Sequence, residues 1–361
     1  MNRVARIQQL AVDRDLDAVL VTPGADLRYL TGYAAKPLER LTCLVVRRTG
    51  DPVLVAPELE VAAARAAGTD LEIAAWSETD DPFALVASLL PGARAIALDD
   101  QMWASRVLGL RDAMPEARQT LAGPLIGELR MRKDAAEIAA LREAGEAIDR
   151  VHLRVSEWLR PGRSEREVGR DIAAAIVEEG HAQVDFVIVG SGPNGASPHH
   201  EVSDRVIRTG DPVVVDIGGT TAAGYCSDCT RNYVVGDEPP AAYLEAYAVL
   251  EAAQAAQRSA AGPGMPAEEV DRIGRAVITE AGYGDLFIHR TGHGIGTETH
   301  EEPYIVTGNT RLLEPGMAFS IEPGIYHEGQ FGARIEDIVV CTDDGIEVLN
   351  TTDRGLVRLP A

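Results

Sequence analysis

Four acidic residues stand in or beside apolar, strand-like runs in the second half of the sequence. Asp216 follows a run of valines in VVVDIGG, and Asp228 precedes an apolar run in GYCSDCTRNYVV. Glu322 lies within AFSIEPGIY and Glu336 within GARIEDIVV. Burying an ionised carboxylate without a partner costs several kcal/mol, and carboxylates that converge on one sheet face repel each other. Divalent cations remove this conflict, because carboxylate oxygens are hard ligands that suit magnesium, manganese or cobalt.

A histidine in a glycine-rich segment is a fifth candidate ligand. His293 lies in HRTGHGIG, and we expect its flanking glycines to let the backbone approach a ligand closely. Five of the eight histidines fall in two short stretches, SPHH and HRTGHGIGTETH. Taken singly, an acidic residue at a strand end is commonly a solvated cap, and a lone histidine is commonly a core or surface residue. Taken together, the five residues predict a metal site.

The elements that must position these residues differ between two parts of the sequence. In the first part, helical stretches alternate with strand-like runs at residues 17–21, 41–47, 53–56 and 95–98. This alternation predicts a three-layer α/β domain. A long helical run then extends from Asp134 to about Leu159, and we place the boundary near residue 128, which gives domains of residues 1–128 and 129–361.

The second part has longer strands interrupted by helices, a pattern typical of an α+β domain with helices on one sheet face. The predicted strands are residues 184–190, 212–218, 232–235, 318–326 and 332–341, and the predicted helices are about 240–260 and 267–281. Ser164 and Glu167 form a capping-box pattern that opens a further helix.

Composition limits the class of partner. The net charge is -22, from 56 acidic and 34 basic residues, which argues against nucleic acid or an anionic membrane as partner. The first residues, MNRVARIQQLAVDRD, have the pattern of an amphipathic helix and not of a signal peptide. No apolar run approaches the ~20 residues of a transmembrane helix, and four dispersed cysteines fit a reducing compartment. We therefore expect a cytoplasmic protein.

The sequence resembles the pita-bread dinuclear metallopeptidases, the family of methionine aminopeptidase, aminopeptidase P and prolidase. The segments that carry the resemblance are DIGGTTAAGYCSDCTR, HRTGHGIGTETHEEP, SIEPGIY and ARIED. The first part resembles the domain shared by creatinase, prolidase and aminopeptidase P, with DLRYLTGY as its clearest mark. The resemblance implies an α/β N-terminal domain of the creatinase/prolidase type, followed by an α+β pita-bread catalytic domain.

The resemblance also implies a role for each ligand. Asp216 would chelate one metal ion through both oxygens, Asp228 and Glu336 would bridge two ions, and His293 and Glu322 would complete the other ion. The implied cofactors are two divalent ions, with manganese as first choice and cobalt or zinc as alternatives. Such ions make hydroxide available near neutral pH.

The implied catalytic residues are His199, His300 and Glu322. Glu322 would move a proton from the water to the leaving nitrogen, and the two histidines would contact the substrate, although His200 competes with His199. Four further residues are candidates for contact with the substrate: His289, Tyr304, Tyr326 and Arg334. Arg334 lies two residues before Glu336, and we also expect it to pair with acidic groups of the site.

Relatives that carry this N-terminal domain mostly cut Xaa-Pro bonds, so the resemblance implies an Xaa-Pro dipeptidase that acts on small peptides and forms a homodimer. The alternatives are an Xaa-Pro aminopeptidase and a hydrolase of a small non-peptide amide. Many relatives carry an arginine after the HExP segment, where this chain has Tyr304. The sequence therefore does not identify the group that binds the C-terminal carboxylate of the substrate. Lys36 and Arg40 are cations that could supply the positive charge.

Overall fold

The computed structural model describes residues 2–236 and 238–360. The chain divides into two compact units, Met1–Arg130 and Met131–Ala361. Among the described residues, no helix has both the length and the apolar character needed to cross a membrane.

Six strands of the first unit form one mixed sheet. They are β1 (Ala18–Val21), β2 (Cys43–Arg47), β3 (Val53–Pro57), β4 (Glu72–Trp76), β5 (Ala95–Leu98) and β6 (Arg118–Leu121). Their order is β4-β3-β2-β1-β5-β6, with β1–β2 and β2–β3 antiparallel and the other pairs parallel.

Helices cover both faces of this sheet. They are α1 (Arg3–Asp13), α2 (Ala25–Thr31), α3 (Val61–Ala66), α4 (Pro82–Ser88), α5 (Ala104–Ala113) and α6 (Gly123–Met131), and one 3-10 turn covers Glu58–Glu60. Alternate residues of β1 enter two different cores, because side chains alternate along a strand. Val19 packs in a core with Ile7 of α1, whereas Leu20 packs in a core with Leu110 of α5. The unit therefore has the three α/β layers that the sequence predicted.

The second unit contains most of the longer elements. Its helices are α7 (Ala135–Arg154), α8 (Glu165–Glu178), α9 (Ala241–Ala260) and α10 (Ala267–Glu280), with 3-10 turns at Val155–Glu157, Gly192–Ala196 and Gly284–Leu286. Its first strands are β7 (His181–Ser191), β8 (Pro212–Thr221), β9 (Cys226–Val235), β10 (Gly292–Gly294) and β11 (Glu301–Ile305). The remaining strands are β12 (Ala318–Ile321), β13 (Gly324–His327), β14 (Phe331–Arg334), β15 (Asp337–Cys341), β16 (Ile346–Val348) and β17 (Val357–Leu359).

These strands form three sheets with the orders β17-β9-β8-β7, β11-β10-β12-β15-β16 and β13-β14. Helices α7 and α8 cover one face of the first sheet, where Ile148 and Ile172 pack with Val215. Capping boxes at Asp134 and at Ser164 open these two helices. Because side chains alternate between the two faces along β8, the residues between its core positions point away from the helices.

Three predicted strands have wrong bounds. β9 begins at Cys226, so Asp228 lies within the strand and does not precede it. The predicted strand 318–326 is two strands with Glu322 between them, because Pro323 has no N–H to donate to a ladder. The predicted strand 332–341 is also interrupted, and Glu336 lies in the gap, with its N–H donating to Thr230 O at 3.3 Å. At both strand breaks a glutamate, Glu322 or Glu336, therefore lies outside the regular strand ladder.

A buried histidine on α7 is expected to make the stability of the second unit depend on pH. His152 Nδ1 lies 3.0 Å from the Tyr233 hydroxyl, and Nε2–H donates to the Cys229 carbonyl at 3.0 Å. Burial, assisted by the charge of Arg231, lowers the pKa of His152 to about 3. A histidine in an unfolded chain has a pKa of about 6.5, so the stabilisation by the neutral ring is complete above that pH and is lost progressively as the pH falls towards 3.

We expect the ring to account for a loss of about 2 kcal/mol in the free energy of unfolding between pH 7 and pH 5. Urea unfolding of the wild type and of His152→Gln at both pH values measures this difference, since glutamine keeps a donor but does not titrate. The wild type should lose more stability than the variant on acidification. An equal loss in both proteins would contradict the account.

Candidate metal centre

Three carboxylates meet where the two long strands β8 and β9 run beside the break after β14. Asp216 pairs with Thr230 and Gly218 pairs with Asp228, so the Asp216 and Asp228 side chains lie on one face of the ladder. Glu336 approaches this face from the gap between β14 and β15. One oxygen from each of the three carboxylates lies within 4.8 Å of the others. This geometry suits a cation held by shared oxygen ligands.

His293 and Glu322 extend the cluster. His293 Nε2 lies 3.1 Å from Glu322 Oε1 and 3.8 Å from Asp228 Oδ2. His293 Nδ1–H donates to the Gly294 carbonyl at 3.1 Å, which leaves the lone pair of Nε2 free to bind a metal. The Ser320 hydroxyl donates to Glu322 Oε1 at 2.9 Å and accepts the His293 N–H at 3.0 Å. The structure thus brings together all five ligand candidates.

The glycines beside His293 allow close packing of neighbouring strands, whereas the sequence suggested that they let the backbone approach a ligand. A Cβ at Gly292 would collide with the Ser320 carbonyl oxygen of β12, and one at Gly294 would collide with the Glu302 carbonyl oxygen of β11. The glycines therefore let β10 lie closely between its two neighbouring strands, and they position His293 through the backbone without themselves approaching a ligand.

The cluster holds more negative charge than the protein neutralises. Burial, together with the charges of Glu336, Asp216 and Glu322, raises the pKa of Asp228 well above its usual value. Burial and the charges of Glu322 and Asp216 likewise raise the pKa of Glu336. At Glu322 burial also opposes ionisation, but the hydrogen bond and charge of His293 hold its pKa below the usual value.

Two buried oxygens in the cluster have no hydrogen-bond donor within the described residues 2–236 and 238–360: Asp216 Oδ1 and Glu336 Oε1. Buried polar atoms in proteins are normally satisfied, so these two oxygens are available to a ligand that the protein itself does not provide. With four carboxylates and one imidazole around them, the donor set fits hard or borderline divalent cations.

A hydrogen-bonded chain behind the cluster orients two of its carboxylates. Arg334 donates to Asp216, to the Thr230 hydroxyl at 3.1 Å and to the Tyr326 hydroxyl at 2.7 Å. Thr230 in turn donates to Glu336 Oε2 at 2.8 Å. Arg334 thus lies beside acidic groups, as expected from the sequence. Thr230 was not predicted, although the alternation along β9 could have indicated it, since it lies two residues from Asp228.

His289 lies at the end of this chain. The Tyr326 hydroxyl lies 2.8 Å from His289 Nε2, and His289 Nδ1–H donates to the Arg290 carbonyl at 2.7 Å. Since Arg334 already donates to Tyr326, the Tyr326 proton points to His289 Nε2. Both ring nitrogens are therefore engaged within the protein, so His289 supports Tyr326 in this structure, and its predicted contact with substrate stays a prediction.

Two further histidines lie near the open side of the cluster. The rings of His300 and His293 are 4.0 Å apart between centroids and nearly perpendicular. Burial, with the charges of His293, Arg290 and His199 among the further causes, lowers the pKa of His300 to about 4. His199 is exposed, whereas the neighbouring His200 is turned inward, with Nε2 2.7 Å from Glu165. The structure therefore favours His199 over His200 as the residue that faces a substrate.

A cation beside Tyr304 was not predicted from the sequence. The Arg290 guanidinium lies 4.3 Å from the centroid of the Tyr304 ring, and Arg290 forms no salt bridge within the described parts of the chain. Arg40, an alternative cation from the sequence, is paired with Glu78 at 2.6 Å and with Glu39. The strand pairing of β10 with β11 brings Arg290 and Tyr304 together, and no local sequence signal predicts that pairing.

Two known protein families match the chain. Residues 139–343 match the description Metallopeptidase family M24, and residues 3–132 match the Creatinase/Prolidase N-terminal domain. The chain belongs to metallopeptidase family M24. M24 peptidases depend on divalent metal ions, in agreement with the ligand cluster. The creatinase-type N-terminal domain, the pita-bread catalytic domain and the metallopeptidase class predicted from the sequence are confirmed.

Relatives of this M24 peptidase match over almost the whole chain. A probable dipeptidase PepE of Mycobacterium tuberculosis is 51% identical and covers 99% of this chain and 96% of its own length. An Xaa-Pro dipeptidase of Lactobacillus delbrueckii subsp. lactis is 36% identical, with 98% of each chain covered. The crystal structure of dipeptidase PepE from Mycobacterium ulcerans has a TM-score of 0.95 at 50% identity, with 99% of this chain and 97% of that chain covered.

Proposed function

We propose that this M24 peptidase hydrolyses Xaa-Pro dipeptides with two divalent metal ions held by five residues. The proposed ligands are Asp216, Asp228, His293, Glu322 and Glu336. The observation that carries the proposal is the buried carboxylate cluster with two unpartnered oxygens, a donor set that requires added positive charge. Manganese is the proposed metal, and cobalt and zinc have compatible ligand preferences. The proline preference is supported by the Xaa-Pro dipeptidase among its relatives.

Bound divalent ions supply an activated water and polarise the scissile carbonyl. Beside bound cations Glu322 would be ionised at neutral pH, because nearby positive charge favours the carboxylate form. Its carboxylate accepts a proton and passes it towards the leaving nitrogen. With a pKa of about 4, His300 is neutral at pH 7, so its N–H can donate to a substrate oxygen without adding a charge to the site. Arg334, Thr230 and Tyr326 hold the carboxylates in place.

Arg290 is the proposed group for the C-terminal carboxylate of a dipeptide. Its guanidinium stacks on Tyr304, close enough to His300 for its charge to affect that pKa. A stacked, unpaired guanidinium is well suited to bidentate binding of a carboxylate. Tyr304 thus takes the position where many relatives carry an arginine, and it supports an arginine from the segment that precedes β10 instead.

Replacing Arg290 by methionine should raise KM for Ala-Pro about 10- to 100-fold, because a charge-assisted hydrogen bond is lost. Methionine keeps an apolar stem on the Tyr304 ring, so the fold should be retained. The matched substrate is Ala-Pro amide, which lacks the carboxylate and should be cleaved equally by the wild type and the variant. Steady-state kinetics on both substrates measure the effect. Equal losses on the two substrates would remove Arg290 from this role.

The decisive test of the proposed activity compares Ala-Pro with Ala-Pro-Ala on manganese-loaded protein. We expect the dipeptide to have the higher kcat/KM, by about tenfold or more, because Arg290 binds its carboxylate. Preference for the tripeptide would make the protein an Xaa-Pro aminopeptidase. Cleavage of neither peptide by protein shown to contain metal would overturn the proposal, and a screen of small amides would then follow.

We further propose a cytoplasmic homodimer. The four cysteines are all free and buried, which fits a reducing compartment. The dimer is supported only by resemblance to relatives, and light scattering of the purified protein tests it. A mass of twice 38.6 kDa is expected, and a mass equal to one chain would contradict the proposal.

A further inference from the structure

A buried carboxylate outside the metal cluster contacts the segment that carries His199. Glu165 is the first residue of α8, and its side chain is completely buried. It faces residues 191–203, which we call the His199 loop. This loop leaves the end of β7, forms a short 3-10 turn and returns to the start of α8. The proposed chemistry at the metal cluster does not use Glu165 directly.

The two oxygens of Glu165 bind both ends of the His199 loop. Oε1 accepts the Ser191 N–H at 2.8 Å and the Ser191 hydroxyl at 2.6 Å. Oε2 accepts the Ser203 hydroxyl at 2.6 Å and lies 2.7 Å from His200 Nε2. The Asn194 side-chain amide donates to both oxygens, at 3.1 and 3.0 Å. One carboxylate therefore holds the loop at its beginning, in its middle and at its end.

An ionised carboxylate is the group that these donors require, because it only accepts hydrogen bonds and offers several lone pairs. Although burial opposes ionisation, the hydrogen bonds from Ser191, Ser203 and His200 hold the pKa of Glu165 below its usual value. Hydrogen bonds to a charged acceptor are stronger than neutral ones, so the loop is held firmly.

The orientation of the two adjacent histidines follows from this contact. His200 points inward to Glu165, whereas the neighbouring His199 is exposed. We propose that Glu165 is a positioning residue that, through His200 and the two serines, fixes His199 at the substrate. The inference rests on the proposed function, in which His199 contacts the substrate.

A double-mutant cycle separates positioning from a general effect on folding. On Ala-Pro, Glu165→Gln should lower kcat about 10- to 100-fold, the cost of misplacing a reacting group, with KM changed less than about threefold. In a His199→Ala background the same substitution should have no further effect, because the residue it positions is absent. The same fold loss in both backgrounds would overturn the proposal.

His200 provides a milder variant pair. His200→Ala removes the donor to Glu165 and should lower kcat about tenfold, whereas His200→Gln keeps a donor and should retain most activity.

Asp149→Asn is the matched control for the loss of a buried carboxylate. Asp149 is buried and accepts hydrogen bonds from Thr351 and Thr352. The Asp149→Asn substitution should lower the free energy of unfolding while kcat stays unchanged. Equal activity of the two His200 variants, or a loss of kcat in Asp149→Asn equal to that in Glu165→Gln, would contradict a specific positioning role.

Hydrogen exchange on the metal-free protein tests the same claim without using activity. Amides of residues 191–203 should exchange at least about tenfold faster in Glu165→Gln than in the wild type, and they should be unaffected in Asp149→Asn. Unchanged exchange in Glu165→Gln would overturn the positioning role. If the wild type cleaves no Xaa-Pro peptide, the proposed function fails, and the exchange rates still decide whether Glu165 fixes the loop.

Discussion

Replacing Glu336 by glutamine is expected to lower kcat/KM on Ala-Pro by at least about three orders of magnitude. Glu336 lies among Asp216, Asp228 and Glu322, and with Asp228 it is one of the two residues that would be shared by both ions. Loss of a shared ligand removes several kcal/mol of stabilisation from the transition state, and each 1.36 kcal/mol corresponds to about a factor of ten in rate.

The same substitution should stabilise the metal-free protein, by about 1 kcal/mol. Glutamine removes one negative charge from a buried cluster in which carboxylates raise each other's pKa values. Stabilising changes at a functional site commonly cost activity in this way. Manganese should raise the unfolding temperature of the wild type but not that of Glu336→Gln, since only a bound ligand stabilises the native state.

Thermal unfolding with and without manganese measures both effects. Glu328→Gln is the matched control, because Glu328 is exposed in the turn after β13 and should leave stability and activity unchanged. If metal-free Glu336→Gln were less stable than the wild type, or were still stabilised by manganese, the carboxylate cluster would not be the metal site described.

Replacing His300 by alanine should lower kcat about 100-fold on Ala-Pro, with KM changed less than about threefold. The neutral imidazole is expected to donate to an oxygen that gains charge in the transition state, and the loss of such a donor costs about this much. A group that acts mainly in the transition state affects kcat more than KM.

His300 also lies within one possible ligand group with Asp228 and His293, so the metal content of the variant matters. We expect His300→Ala to keep the manganese-dependent rise in unfolding temperature. His327→Ala is the control, because His327 lies at the end of β13 beside Phe331 and should not affect kcat. Loss of metal binding in His300→Ala would make His300 a ligand, and a rise in KM alone would make it a substrate-binding residue only.

The clustering of the five ligand candidates could be predicted in part, because alternation along strands is a local property. Asp216 and Asp228 follow from their places in apolar runs, and Asp337 must point away from its neighbour Glu336 because successive side chains alternate along an extended chain. In the structure Asp337 pairs with Arg231 at 2.8 Å on the other side of the strand. Hydrophobic period and residue type therefore identify which side chains face the site before any pairing is known.

Features that depend on long-range pairing could not be predicted. Arg290 meets Tyr304 only because β10 pairs with β11, and Glu165 meets the His199 loop only because α8 packs beside β7. The strands β4 and β6 were also not predicted. Both lie at the sheet edges, and their sequences EIAAW and RQTL lack a clean apolar alternation, since edge strands bury less surface.

The most direct test of the central claim is a titration of EDTA-treated protein with manganese while Ala-Pro cleavage is followed. The account predicts no activity without metal and a rise that saturates at about two manganese ions per chain, because the five ligands hold a pair of ions. Full activity of the metal-free protein, or saturation with a single ion, would contradict the two-metal mechanism.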